Sequence, residues 1–208
     1  PDWTPEAVLG GLEGSLRRLR VDCIDIVHLH SCPRATLERG GVLEALARGR
    51  EQGKVRVVAY SGENDALAFA AEAPAVGALQ CSVNLFDQGS LREIIPRAAA
   101  RGLGVLAKRT LGNAPWRFVE RPAGDYAELY WERMYRLGYE AGPYGWARLA
   151  LRFAAFAPGV SAVLCGSRTP AHLEEIVRAA EEGPLPAPLF AHLRATYDER
   201  GAAWEGQV

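Results

Sequence analysis

Lysine is nearly missing from this 208-residue sequence: only Lys54 and Lys108 accompany 22 arginines. Charge of one sign is missing too, since 24 basic residues face 25 acidic ones for a formal net charge of −1. That balance argues against a nucleic-acid partner, which calls for a basic domain or stripe. No run of 18 apolar residues occurs, so no transmembrane helix and no membrane partner are expected. The N-terminal residues show no basic stretch leading into an apolar one, so no signal peptide is read. The sequence opens on Pro1, and Met134 is its single methionine, which is compatible with a processed or truncated chain. Cysteine is sparse and scattered, at Cys23, Cys32, Cys81 and Cys165, with no CxxC pair. Such thiols read as reduced, in a cytoplasmic protein. No Gly-x-Gly-x-x-Gly follows any strand, so the doubly wound dinucleotide fold has no specific support.

What remains is ordinary globular material, 49% hydrophobic and 24% charged, enough for one domain over residues 1–208. Apolar runs and helical periodicities alternate along it. A helix opens near Thr4-Pro5 and carries Val8, Leu12, Leu16 and Leu19 on one face. Strands are expected at 23–30, 55–61, 78–85, 103–107 and 161–165. Helices are expected at 41–52, 65–72, 90–101, 144–156, 170–181 and 188–199. Between residues 112 and 142 the pattern breaks into an aromatic-rich segment, read as an exterior helix or a lid. Strands alternating with helices make an α/β fold with a parallel sheet. A closed (β/α)8 barrel needs eight strands and about 250 residues. Five strands fit either an open sheet or the later part of such a barrel.

In these folds function gathers where strands enter their loops. His28, His30 and Cys32 alternate, and would share a face if the first strand continued. They suggest a metal site, but no further cluster completes a ligand set. The alternative is a pair of imidazoles bonded to nearby backbone. Polar groups close the other strands: Ser61 the second, Gln80 the third, Lys108 and Arg109 the fourth. Lys108 at a strand end is also the residue a Schiff-base enzyme would use, if desolvation lowered its pKa. After the fifth strand, Ser167-Arg168-Thr169-Pro170 enters a helix bearing His172 and Glu175. Ser167 or Thr169 as cap, the helix N-terminus and Arg168 together suit a phosphate. Glu175 would repel a phosphate and suits a ribose or a base edge. The plainer reading is a capped helix with a solvent-facing arginine.

Taken in order, these segments resemble the aldo-keto reductase family. Ser15-Leu16-Arg17-Arg18-Leu19 with Asp22 to His30 is similar to the family's SLxRLxxDYIDLxxxH stretch. Gly53-Lys54-Val55-Arg56 with Ala59-Tyr60-Ser61-Gly62 is similar to GKVRxxGVSN. Gln80 to Leu85 resembles QxxYNL, and Gly102 to Ala107 resembles GIGVIAYSPL. Gly166 to Glu175 is similar to PGTRNPEQLEEN. The resemblance implies a TIM-type (β/α)8 barrel, of which this chain holds about five units from the helix before the fourth strand onward. It implies reduction of a small aldehyde or ketone with NADP(H). His30 would be the catalytic histidine that orients the carbonyl. Ser61 and Gln80 would bind the nicotinamide carboxamide, and Lys108 stands where a tyrosine usually stacks on the ring. Arg109 and Leu111 would line the pyrophosphate. Ser167, Arg168 and His172 would meet the 2′-phosphate end, and Glu175 the adenosine.

The sequence departs from the pattern at several places. The family's catalytic Tyr, Asp and Lys lie on strands upstream of every segment matched here. Gly62 replaces the usual Asn, and Ile176 replaces an Asn that commonly reads adenine. This chain alone is therefore expected to be inactive, and to need either an N-terminal segment or self-association. The other readings are a non-catalytic nucleotide-binding or scaffolding module and a Schiff-base lyase using Lys108.

Overall fold

The computed structural model describes residues 3–167 and 169–208. Five strands form one parallel sheet in the order β1-β2-β3-β4-β5, and the chain divides into two compact units. The first unit holds residues 1–81, 97–105 and 208; the second holds 82–96 and 106–207.

In the first unit, helix α1 (Pro5–Leu19) begins as its sequence dictates. The Thr4 hydroxyl accepts the Ala7 N–H at 3.1 Å and Pro5 takes the first helical position, where its missing N–H costs nothing. Leu12 and Leu16 are buried, and Arg17 and Arg18 sit in the last turn, favourable for the helix dipole. Strand β1 (Ile24–His30) pairs in parallel with β2 (Val55–Ser61), from Ile24 opposite Val55 to His30 opposite Ser61. β2 continues onto β3 (Ala78–Ser82), with Ser61 opposite Gln80. Helices α2 (Arg34–Glu38), α3 (Gly41–Glu51) and α4 (Asn64–Glu72) fill the connections. α3 buries Val42, Leu43, Ala45 and Leu46 and packs on α1 and β2. It comes so close to α1 that a Cβ on Gly49 would stand 2.9 Å from Leu12 Cδ2.

The helix expected at 90–101 is a 3-10 turn over Gly89–Leu91 followed by α5 (Ile94–Ala100). Pro96 falls in the first turn of α5, where proline is tolerated. Strand β4 (Gly104–Lys108) and strand β5 (Ala162–Val163) pair in parallel, with Leu106 opposite Ala162.

The second unit also holds α6 (Glu128–Leu137), α7 (Trp146–Ala155), α8 (Pro170–Glu181) and α9 (Ala187–Arg200). Its core joins Leu85, Phe86, Tyr130, Leu137, Leu149 and Phe153 with Leu193 and Tyr197 of α9. The aromatic-rich segment is thus largely core rather than a free lid. Tyr130 and Tyr139 are buried, Trp116 stacks on Trp146 at 5.8 Å, and only Tyr126 and Tyr135 are well exposed. Arg152 closes the end of α8, donating to the Gly183 and Pro184 carbonyls at 2.8 and 2.7 Å and pairing with Glu182 at 2.9 Å. Among the described residues no helix is long and apolar enough to cross a membrane.

Candidate functional site

The parallel register of the first unit sets three of the expected residues in one row. His30, Ser61 and Gln80 end β1, β2 and β3 opposite one another, so their side chains project to the same side of the sheet. His30 is exposed and Gln80 half-buried, while Ser61 is only 2% exposed. The Ser61 Oγ is buried and makes no hydrogen bond. The backbone around it is satisfied: Ser31 N–H donates to the Ser61 carbonyl at 2.7 Å, and Gly62 N–H to the Gln80 carbonyl at 3.2 Å. A buried hydroxyl without a partner costs about 1–3 kcal/mol, which sets Ser61 apart from the other two residues of the row.

β1 stops at His30 because Ser31 takes a left-handed backbone, φ 58°. That twist turns Cys32 away from the row and into the core. The expectation that His28, His30 and Cys32 share a face therefore fails at Ser31. Burial also pushes the Cys32 thiol up to about 11, the reverse of what a metal-binding or nucleophilic thiolate needs. Among the described residues no group of three His, Cys, Asp or Glu side chains is placed to hold a metal ion.

The glycine at position 62 has a steric cause. Tyr60 is 1% exposed and its hydroxyl donates to the Cys32 carbonyl at 3.0 Å. A Cβ on Gly62 would lie 2.4 Å from that hydroxyl and within 2.7 Å of two ring carbons. A tyrosine at position 60 and an asparagine at position 62 exclude each other. Burial, with Cys32, Asp65 and Glu63 adding to it, raises the Tyr60 phenol to about 12.

The second unit places its own candidates at the ends of β4 and β5. Lys108 is half-buried and its carbonyl accepts the Val83 N–H at 3.3 Å. Arg109 holds a left-handed backbone, φ 53°. Its guanidinium donates to the Ser82 hydroxyl at 3.3 Å, to the Gln207 carbonyl and to the Tyr126 hydroxyl, and lies 5.1 Å from the centre of the Tyr126 ring. Leu111 packs against the aromatic core. Thr169 makes no side-chain cap for α8; instead the Ser167 hydroxyl accepts the Thr169 N–H at 3.1 Å and stands 3.5 Å from His172 Nδ1. Glu175 is exposed further along α8. Arg168 lies outside the described residues.

Two of the aromatic segment's tyrosines, Tyr130 and Tyr139, are buried and engaged within the core. The Tyr130 hydroxyl donates to Asp87 at 3.2 Å and its pKa is pushed far up by burial. The Tyr139 hydroxyl donates to the Leu193 carbonyl. Asp87 and Arg133 form a buried ion pair at 3.6 Å, which sequence reading missed entirely. Tyr126 and Gln207, both partners of Arg109, were missed as well.

The family model for the Aldo/keto reductase family matches residues 1–198. This chain belongs to the aldo/keto reductase family. It is 25% identical over 206 residues to D-threo-aldose 1-dehydrogenase of Pseudomonas sp, a match covering 92% of this chain and 62% of that protein. It is 22% identical over 196 residues to L-galactose dehydrogenase of Arabidopsis thaliana, covering 87% of this chain and 60% of that protein. The chain thus spans about 60% of the length of these relatives. Among solved structures, an aldo-keto reductase from Bacillus halodurans in its holo form superposes with a TM-score of 0.78 at 20% identity, over 98% of this chain and 70% of that one. Glycerol dehydrogenase from Gluconobacter oxydans gives 0.74 at 21% identity, over 98% and 67%. These likenesses give the fold: five parallel strand–helix units of the reductase (β/α)8 barrel.

Proposed function

We propose that this chain is the C-terminal portion of a barrel whose whole acts as an NAD(P)-dependent oxidoreductase on small carbonyl compounds, in the reducing direction with NADPH. Its five units correspond in this reading to the fourth through eighth. The observation that carries it is the row of His30, Ser61 and Gln80, with a buried Ser61 hydroxyl that has no partner in the protein. A carboxamide offers both a donor and an acceptor, which suits a serine hydroxyl beside a glutamine amide. The residues present therefore fit the nicotinamide end of the cofactor.

When bound, the nicotinamide would supply the hydride. The roles of the chain's own residues follow from their placement. Ser61 and Gln80 would fix the carboxamide, and so which ring face is presented. His30, exposed at the end of β1, would donate a hydrogen bond to the substrate oxygen as charge develops there. In the second unit, Lys108 would bring its positive charge to the end of β4. Arg109 would take the pyrophosphate with a forked guanidinium, the geometry that phosphate oxygens match. Ser167, Arg168 and His172 would receive a 2′-phosphate and Glu175 the adenosine. The proton donor of the family has no counterpart here, so turnover by these residues alone is not expected.

The test is NADPH binding to this chain, followed by nicotinamide fluorescence, with Ser61→Ala and Gln80→Ala as variants. Losing one hydrogen bond to the carboxamide should weaken binding about three- to tenfold. Ser61→Ala should leave folding stability unchanged or raised, because it removes an unpartnered buried hydroxyl. Unchanged affinity in both variants would remove the carboxamide assignment.

A further inference from the structure

We propose that Tyr60 is the positioning residue for His30: from the opposite face of the sheet, its hydroxyl braces the turn that follows β1. The inference rests on the reading of His30 as the group that meets the substrate oxygen, and adds the residue that holds it in place.

Consecutive residues of a strand project to opposite faces, so Tyr60 stands behind the row to which Ser61 belongs. Its ring leans along β2 over position 62, where a Cβ would lie within 2.7 Å of three of its atoms. From there the hydroxyl crosses to the chain leaving β1 and donates to the Cys32 carbonyl at 3.0 Å. The next residue of β2 grips the same turn through the ladder, since the Ser61 carbonyl accepts the Ser31 N–H at 2.7 Å. Two successive residues of one strand thus hold the two residues that follow His30, with one bond ahead of Ser31 and one beyond it.

Ser31 is the residue that needs holding. Its φ of 58° is a left-handed conformation, unfavourable for a residue other than glycine and kept only where the surroundings fix it. Relaxed to the extended conformation, Ser31 would carry β1 onward and bring Cys32, now 1% exposed, round to the face of His30. His30 itself is exposed, so little packing surrounds its side chain. A functional side chain has to keep its place to within about 0.5 Å, and here the backbone on either side must supply that. The brace is a lasting donor, because burial raises the Tyr60 phenol to about 12. The same ring imposes glycine at position 62. Tyrosine at position 60 therefore gives up a side chain at the end of β2 and gains a fixed turn beneath His30.

Tyr60→Phe in the full chain tests this, because it keeps the ring and removes the hydroxyl alone. Two local reporters are followed: the His30 imidazole signal by NMR, and the rate at which iodoacetamide alkylates Cys32, read by peptide mass. His172 and the fully buried Cys81 report any general loosening. The His30 signal should shift or broaden. Cys32 should alkylate about two- to tenfold faster, the loss of one hydrogen bond, while His172 and Cys81 behave as in the wild type. NADPH affinity, followed by nicotinamide fluorescence, should change by less than about threefold, because Ser61 and Gln80 keep their places in the ladder. An unmoved His30 signal with Cys32 at its wild-type rate overturns the brace and, where NADPH binds, spares the cofactor reading. A change shared equally by His172 and Cys81 also overturns it, since Tyr60 would then serve general stability. His30 and Cys32 responding as stated in a protein that binds no NADPH supports the brace and overturns the cofactor reading.

Discussion

Replacing Gly62 with alanine should destabilise the protein, and the cause can be isolated because it lies in one neighbour. The backbone at position 62 is outside the left-handed region, since Gly62 is not among the glycines of positive φ. Alanine is therefore conformationally acceptable there. The obstacle is the Tyr60 ring, with the hydroxyl 2.4 Å from the new methyl. That ring cannot swing away, because it is buried and its hydroxyl is held by the Cys32 carbonyl. Overpacking of this kind costs about 1–3 kcal/mol. With Tyr60→Val the ring is gone, and Gly62→Ala should become neutral or stabilise by about 0.4–1 kcal/mol through unfolded-state entropy. The two substitutions should therefore couple by about 1–4 kcal/mol, the difference between those two effects. Urea unfolding of the wild type, both single variants and the double variant measures this, provided the m-value is unchanged. Should Gly62→Ala cost the same with and without the Tyr60 ring, the steric account of this glycine is wrong.

Two further outcomes follow from buried polar groups. Arg133→Met removes the guanidinium that stands 3.6 Å from the Asp87 carboxylate, itself 2% exposed, and should cost about 3–5 kcal/mol; adding Asp87→Asn should recover part of it, as read from urea midpoints. Tyr60 ionises near 10 when unfolded and near 12 when folded. Its contribution is therefore complete below pH 10 and falls away as pH rises towards 12, by about 2–3 kcal/mol. Tyr60→Phe should lose less stability than the wild type over that interval, and equal slopes would refute the shift.

The alternation of strands and helices was legible because buried parallel strands read as short apolar runs and the helices between them keep a 3.6-residue period. Helix α2 was not, since its five residues, Arg34–Glu38, are too few to show a period. The third strand was drawn too long for a related reason. Val83 and Leu85 are buried, but in the turn closed by the Asn84–Asp87 bridge, and an apolar run does not separate a strand from a buried turn. The row of His30, Ser61 and Gln80 was readable residue by residue, each closing its own strand. The contact between Arg109 and Gln207 was not: the two lie 98 positions apart, and the tail has no periodicity. The substitution at Gly62 was visible in the sequence, but its cause required knowing where the Tyr60 ring lies.

The chain threads its two units in alternation, leaving the first after Cys81, returning for residues 97–105, and leaving again. No single cut of the polypeptide can separate them. A protease nick between 82 and 96 would leave each unit with segments from both fragments, so the pieces should stay together until denatured. During synthesis the first unit cannot close until Val105 has emerged from the ribosome, after part of the second has already appeared. Neither unit can be obtained as one uninterrupted stretch of sequence, and the first unit cut after Cys81 would lack residues 97–105, which carry the end of α5 and the start of β4.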